Sequence, residues 1–216
     1  MGKPENLNRL LEHKIVAVIR ADRGDTLADV AEALVAGGVE VMEVTFTVPK
    51  AHQVLEKVAD RLGDRILLGA GTVLDAETAR IAMLSGAEFI VSPSTHLDVI
   101  QTCQRYDKLV MPGALTPTEV VHAWQAGADL IKVFPSDLGG PSYLKALKAP
   151  LPQIRLLPTG GVNLDTAADF LRCGASALGI GGSLVESSAV AAGDFDRIQQ
   201  LASQFVDIVK THASAG

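Results

Sequence analysis

Eight short apolar runs, each followed by a stretch with helical spacing, predict a TIM (β/α)8 barrel preceded by a short N-terminal helix. Two further observations point the same way. Most helical stretches end on glycine just before the next strand, and one junction recurs as Ala36-Gly-Gly-Val39, Ser85-Gly-Ala87, Ala126-Gly-Ala128 and Cys173-Gly-Ala175. The 216 residues, shared among eight units, give about 27 each, close to a minimal β/α pair. A doubly wound open sheet alternates in the same way. It ranks second, because Gly69-Ala-Gly71-Thr-Val-Leu74 lacks the third glycine of a dinucleotide fingerprint.

The opening helix covers about residues 5–12, where Leu7, Leu10 and Leu11 fall at helical spacing. Residues 15–20 form a nearly continuous apolar run, as expected of a strand covered on both faces. A helix over 25–37 leads to a strand over 39–46, and Pro49 marks the start of a helix over 50–62. Strand 65–71, helix 75–85, strand 88–92, helix 97–105 and strand 109–113 follow. Helices 117–126, 141–148 and 164–173 precede strands 128–135, 154–158 and 175–179 respectively, and a closing helix covers 194–211. A single barrel domain, 1–216, accommodates all of these elements.

Composition narrows the function classes. Aromatic residues make up 4% and the net charge is −6. A base-stacking nucleic-acid surface and an anionic membrane are therefore poor partners, while a small anionic metabolite fits a locally positive site. Cys103 and Cys173 lie in separate helices without metal-type spacing and read as reduced thiols of a soluble, cytoplasmic protein. The segment Met1-Gly-Lys-Pro-Glu-Asn6 has no signal-type apolar core. The five histidines are scattered, so neither a metal site nor a cofactor is expected.

In a barrel, chemistry gathers at the C-terminal strand ends. Arg20, Glu43, Thr45, Thr47, Thr72, Pro93, Lys132, Phe134 and Thr159 stand at or near them. Strand alternation puts Val41, Glu43 and Thr45 on one face and the apolar Met42, Val44 and Phe46 on the other, so Glu43 points into the barrel. By the same argument Ile131 and Val133 meet the helices and Lys132 points inward. A desolvated lysine loses proton affinity, and its neutral amine attacks carbonyls. The alternatives are a lysine whose head reaches water and a structural Lys–Glu ion pair. Two glycine-rich turns, Thr159-Gly160-Gly161-Val162 and Gly179-Ile180-Gly181-Gly182-Ser183, follow strands seven and eight, where many barrels bind phosphate.

Together these segments resemble the 2-keto-3-deoxy-6-phosphogluconate (KDPG) aldolase / 4-hydroxy-2-oxoglutarate (KHG) aldolase family of class I aldolases. Gly38-Val-Glu-Val-Met-Glu-Val-Thr-Phe46 resembles its glutamate motif, and Ile131-Lys-Val-Phe-Pro-Ser136 its Schiff-base motif. Gly69-Ala-Gly-Thr72, Ser92-Pro93 and Pro158-Thr-Gly-Gly161 fall in the family's order. The resemblance implies Lys132 as the Schiff-base residue and Glu43 as the general acid/base. It also implies Gly160, Gly161, Gly181, Gly182 and Ser183 around a substrate phosphate, and a homotrimer. Many members carry arginine where this chain has Thr47. Arg20 is then expected to supply the charge for the substrate carboxylate, with Thr72 adding a hydrogen bond. The implied reaction is cleavage of KDPG to pyruvate and glyceraldehyde 3-phosphate. Alternatives are cleavage of 4-hydroxy-2-oxoglutarate or of the 6-phosphogalactonate epimer. More distant ones are a phosphate-binding barrel isomerase and a non-catalytic sugar-phosphate binder.

Overall fold

A computed structural model describes residues 2–21 and 24–214, with side chains through residue 212. The chain runs α1 (Lys3–His13), β1 (Ile15–Ile19), α2 (Leu27–Ala36), β2 (Val41–Thr45), α3 (Ala51–Leu62), β3 (Leu67–Gly71) and α4 (Ala76–Leu84). It continues through β4 (Phe89–Val91), α5 (Leu97–Arg105), β5 (Leu109–Met111), β6 (Gly113–Ala114), α6 (Pro117–Gln125) and β7 (Ile131–Val133). The last elements are α7 (Gly140–Lys148), β8 (Leu156–Pro158), α8 (Ala167–Arg172), β9 (Leu178–Ile180), α9 (Ser187–Ala192) and α10 (Phe195–Ser214).

All strand pairs are parallel, in two sheets ordered β5-β4-β3-β2-β1-β9 and β6-β7-β8. The expected fifth strand is split at Pro112, which has no N–H to give to a ladder. Its first half pairs with β4 and its second with β7, so one strand hands over between the two sheets. The Pro112 carbonyl still accepts a hydrogen bond from Lys132 N at 2.9 Å. On the other side, Ser176 N donates to Leu156 O at 2.8 Å and Thr159 bridges to Gly179. These contacts close the ring, and the α/β barrel expected from the sequence is borne out.

Two apolar cores follow from strand alternation. Met42, Val44, Ile131 and Val133 point outward into the layer between strands and helices. Val16, Val41, Leu67, Phe89, Leu109, Leu130 and Leu157 fill the lower barrel interior. Leu10 of α1 is fully buried in that inner cluster, with Leu7 and Leu11 packed against it. Polar clamps fix this helix across the barrel floor: Asn6 Nδ2 donates to Glu88 at 3.1 Å, and Lys3 pairs with Asp129 at 3.0 Å.

Glycine at inward positions makes room for neighbouring groups. A Cβ on Gly69 would lie 2.2 Å from the Phe89 ring, and one on Gly113 would lie 2.1 Å from the Pro93 carbonyl. Large neighbours thus occupy space that side chains would otherwise fill.

Several expected elements are shorter than the apolar runs. The strand expected over 128–135 is a ladder only over Ile131–Val133. Asp129 N and Phe134 N nevertheless donate to Val110 and Ala114, so the backbone stays extended and paired beyond it. The helix expected over 164–173 begins at Ala167, because Asn163 and Thr166 engage one another in a turn first. Helix α9 and two 3₁₀ turns, at 63–65 and 136–138, are additional. Tyr106 is 41% exposed, with Arg80 stacked 4.0 Å from its ring centroid. Among the described residues no helix is long and apolar enough to cross a membrane.

Candidate active site

The C-terminal mouth of the barrel holds a cavity of about 430 Å³. Arg20, Thr72, Pro93, Lys132, Phe134 and Thr159 reach it from five strands. Gly160 and Gly161 of one turn line it as well, as do Gly181, Gly182 and Ser183 of the other. Gly160 and Gly161 are both left-handed, at φ 94° and 69°, which glycine alone adopts without strain. Their carbonyls are held by Ser136 Oγ at 2.6 Å and Thr166 Oγ1 at 2.8 Å. The turn therefore has a fixed shape. Thr72 also has positive φ, 57°, an unusual state for a β-branched residue, costing on the order of 1–3 kcal/mol. Such strain concentrates where backbone position matters to a ligand.

Lys132 is 7% exposed and, among the described residues, forms no salt bridge. Its Nζ sits 5.0 Å from the Phe134 ring centroid, a cation–π distance. The structural ion pair weighed above is therefore absent, because no Lys132–Glu43 contact falls within 4.0 Å. Glu43 is 1% exposed, and its Oε1 has no hydrogen-bond partner. Burial pushes the Glu43 carboxyl above the ordinary carboxylate range, outweighing the nearby charges of Lys132 and Arg20 that pull it down. The side chain can therefore hold a proton that an exposed glutamate would give up.

Glu43 and Thr45 face inward but do not line the cavity. Thr47 is exposed and shares a 2.8 Å hydrogen bond with Thr45 Oγ1. The polar pair Thr45–Thr47 satisfies itself, leaving Arg20 as the cavity's cation besides Lys132 among the described residues. A second cavity of about 370 Å³ shares Arg20 and Ser187 with the first but contains neither Lys132 nor Glu43. Sequence reasoning missed Val18, Val162, Val185 and Ser187 in the main cavity wall. Val18 was accessible to alternation, since it lies between Val16 and Arg20 on one strand face. Val162 and Val185 belong to turns with no periodicity to read, and Ser187 opens α9, an element the sequence reading did not contain. Among the described residues no three His, Cys, Asp or Glu side chains form a metal-type cluster.

An amine without a carboxylate partner, a protonatable carboxyl within reach of its charge and a glycine-rich rim equip a barrel enzyme for covalent work on a carbonyl compound. The comparisons with known proteins agree. The family described as KDPG and KHG aldolase matches residues 7–201, and the chain belongs to it. The 2-dehydro-3-deoxy-phosphogluconate aldolase of Treponema pallidum is 35% identical over 198 residues, 91% of this chain and 93% of that protein. The 2-dehydro-3-deoxy-6-phosphogalactonate aldolase of Escherichia coli is 34% identical over 193 residues, 89% and 92% of the two chains. KDPG aldolase from Legionella pneumophila, solved with pyruvate captured at low pH as a covalent carbinolamine, superposes with a TM-score of 0.85 at 28% identity. That match covers 92% of this chain and 96% of the other. The resemblance seen in the sequence is thus borne out.

Proposed function

We propose that this chain is a class I aldolase that cleaves KDPG to pyruvate and glyceraldehyde 3-phosphate. The observation carrying this reading is the pairing of a buried, carboxylate-free Lys132 with a buried Glu43 whose proton affinity is raised. In its neutral form the Lys132 amine adds to the C2 ketone, giving a carbinolamine. Loss of water leaves a protonated Schiff base. The C4 hydroxyl then gives up its proton, the C3–C4 bond breaks, and its electron pair moves into the iminium to form an enamine. Glyceraldehyde 3-phosphate leaves. Protonation of the enamine at C3 and hydrolysis return pyruvate and the free amine. Glu43, directly or through water, serves as the acid and base for these transfers.

Arg20 meets the substrate carboxylate in place of the arginine that Thr47 replaces, and Thr72 adds a hydrogen bond. The Gly160–Gly161 and Gly181–Ser183 turns receive the phosphate through backbone N–H groups. Pro93, Phe134 and Thr159 complete the contact wall. Thr45 is assigned a supporting place beside Glu43 rather than a substrate contact.

Borohydride reduction in the presence of pyruvate is expected to fix a stable adduct on the peptide containing Lys132. An unmodified Lys132 after turnover-competent incubation overturns the Schiff-base reading. Ranking kcat/KM for KDPG, its C4 epimer and the unphosphorylated 4-hydroxy-2-oxoglutarate identifies the preferred substrate. KDPG is expected to lead.

The chain is further proposed to act as a homotrimer in the cytoplasm. All seven exposed large apolar side chains among the described residues fall between Leu74 and Leu138 in the sequence, and the six other than Phe134, which lines the cavity, are candidates for an interface. A cube-shaped cage designed by fusing symmetric oligomeric domains superposes on 94% of this chain with a TM-score of 0.86, covering 74% of that chain. Light scattering that returns the mass of one chain overturns the trimer.

A further inference from the structure

We propose that Gly71 is a positioning residue for catalysis: the missing side chain on β3 forms the notch that holds the Glu43 carboxyl in place. The proposal rests on Glu43 being the acid/base of the reaction above. Three observations meet at this residue. Gly71 occupies an inward position beside β2, and Thr45 is its register partner. A Cβ on Gly71 would stand 2.4 Å from Glu43 Oε1 and 2.7 Å from Glu43 Cδ. The same Glu43 Oε1 is buried and accepts no hydrogen bond from another protein group among the described residues, so packing against β3 sets where it lies.

The notch is rigid on the strand side. Phe46 N donates to Gly71 O at 2.8 Å, which locks β2 and β3 together at this level. The next residue, Thr72, is held in the left-handed state at φ 57°. Gly71 itself has no positive φ, so its glycine identity is not a backbone requirement. What it supplies is space. Any Cβ there would force the carboxyl to move by more than half an ångström, because Thr45 Cγ2, 3.3 Å from the same point, closes the adjacent side.

Misplacing a catalytic group by about 1 Å can cost about 10²-fold in rate. Gly71→Ala is therefore expected to lower kcat by about 10- to 100-fold while KM changes by less than about threefold. Borohydride trapping at Lys132 with pyruvate should persist, and the Glu43-dependent limb of the pH–rate profile should move. A purely structural role would not move that limb.

The decisive comparison is a double-mutant cycle with Glu43→Asp, whose retracted carboxyl vacates the notch. In that background, adding Gly71→Ala is expected to change kcat by less than about twofold. Full multiplicative losses there overturn the positioning role, whether or not Gly71→Ala alone folds well. Glu43→Gln separates the two hypotheses. If it leaves kcat intact, the acid/base reading fails. If it lowers kcat while Gly71→Ala does not, only the notch proposal fails.

Discussion

Lys132→Arg is expected to abolish the borohydride-trapped pyruvate adduct and lower kcat by about 10⁴-fold or more. Arginine keeps the positive charge but is not deprotonated in proteins, so it cannot become the nucleophile. The change separates charge from covalency at one position. A merely electrostatic lysine, as in a barrel isomerase that polarises a carbonyl, would retain much of its activity as arginine. Mass spectrometry of the reduced, digested protein reads the adduct, and a coupled assay for pyruvate reads the rate. Activity within tenfold of the parent excludes the Schiff-base mechanism.

Glu43→Gln is expected to lower kcat by about 10²- to 10⁴-fold, the range of a positioned general acid/base. The same substitution should raise stability under alkaline conditions. Burial raises the Glu43 pKa above its unfolded value. The folded chain therefore binds that proton more tightly than the unfolded chain does. Its contribution to stability is complete below the ordinary carboxylate pKa and is lost as pH rises through the raised value. Glutamine never ionises, so the variant loses nothing over that interval. Melting at about pH 8 should show Glu43→Gln ahead of the parent, with the gap closing toward about pH 4. A variant that is less stable throughout would mean that the Lys132 and Arg20 charges outweigh burial. Greater stability with lower activity is the usual relation at a site built for chemistry.

The barrel and the direction of its two central side chains were legible because both rest on period. Alternation of Val41, Glu43 and Thr45 against Met42 and Val44 leaves no choice of face, and the structure follows it. The split at Pro112 was less accessible. Proline signals a missing donor, but which half of the strand pairs with which neighbour depends on the closure of the ring. The glycines were harder still. Gly69, Gly71 and Gly113 look alike in sequence, yet each yields space to a different group: an aromatic ring, a carboxyl and a carbonyl. A glycine states that room is needed and not for whom. Likewise Thr47 announced a missing arginine. Only the geometry shows Thr47 turned to Thr45 and Arg20 left facing the cavity.

The helix across the barrel floor has a consequence for traffic. With Leu10 seated in the inner cluster, and Asn6 and Lys3 fastened to Glu88 before β4 and Asp129 before β7, the barrel is a well with its floor closed among the described residues. Everything that reaches Lys132 enters past the two glycine turns that line the cavity and must go back the same way. In the reaction proposed above, the fragment bonded to the lysine would lie deepest and the phosphorylated fragment nearest the mouth. Release is then first out for the aldehyde and last out for pyruvate. In the reverse direction the keto acid must load before the aldehyde does.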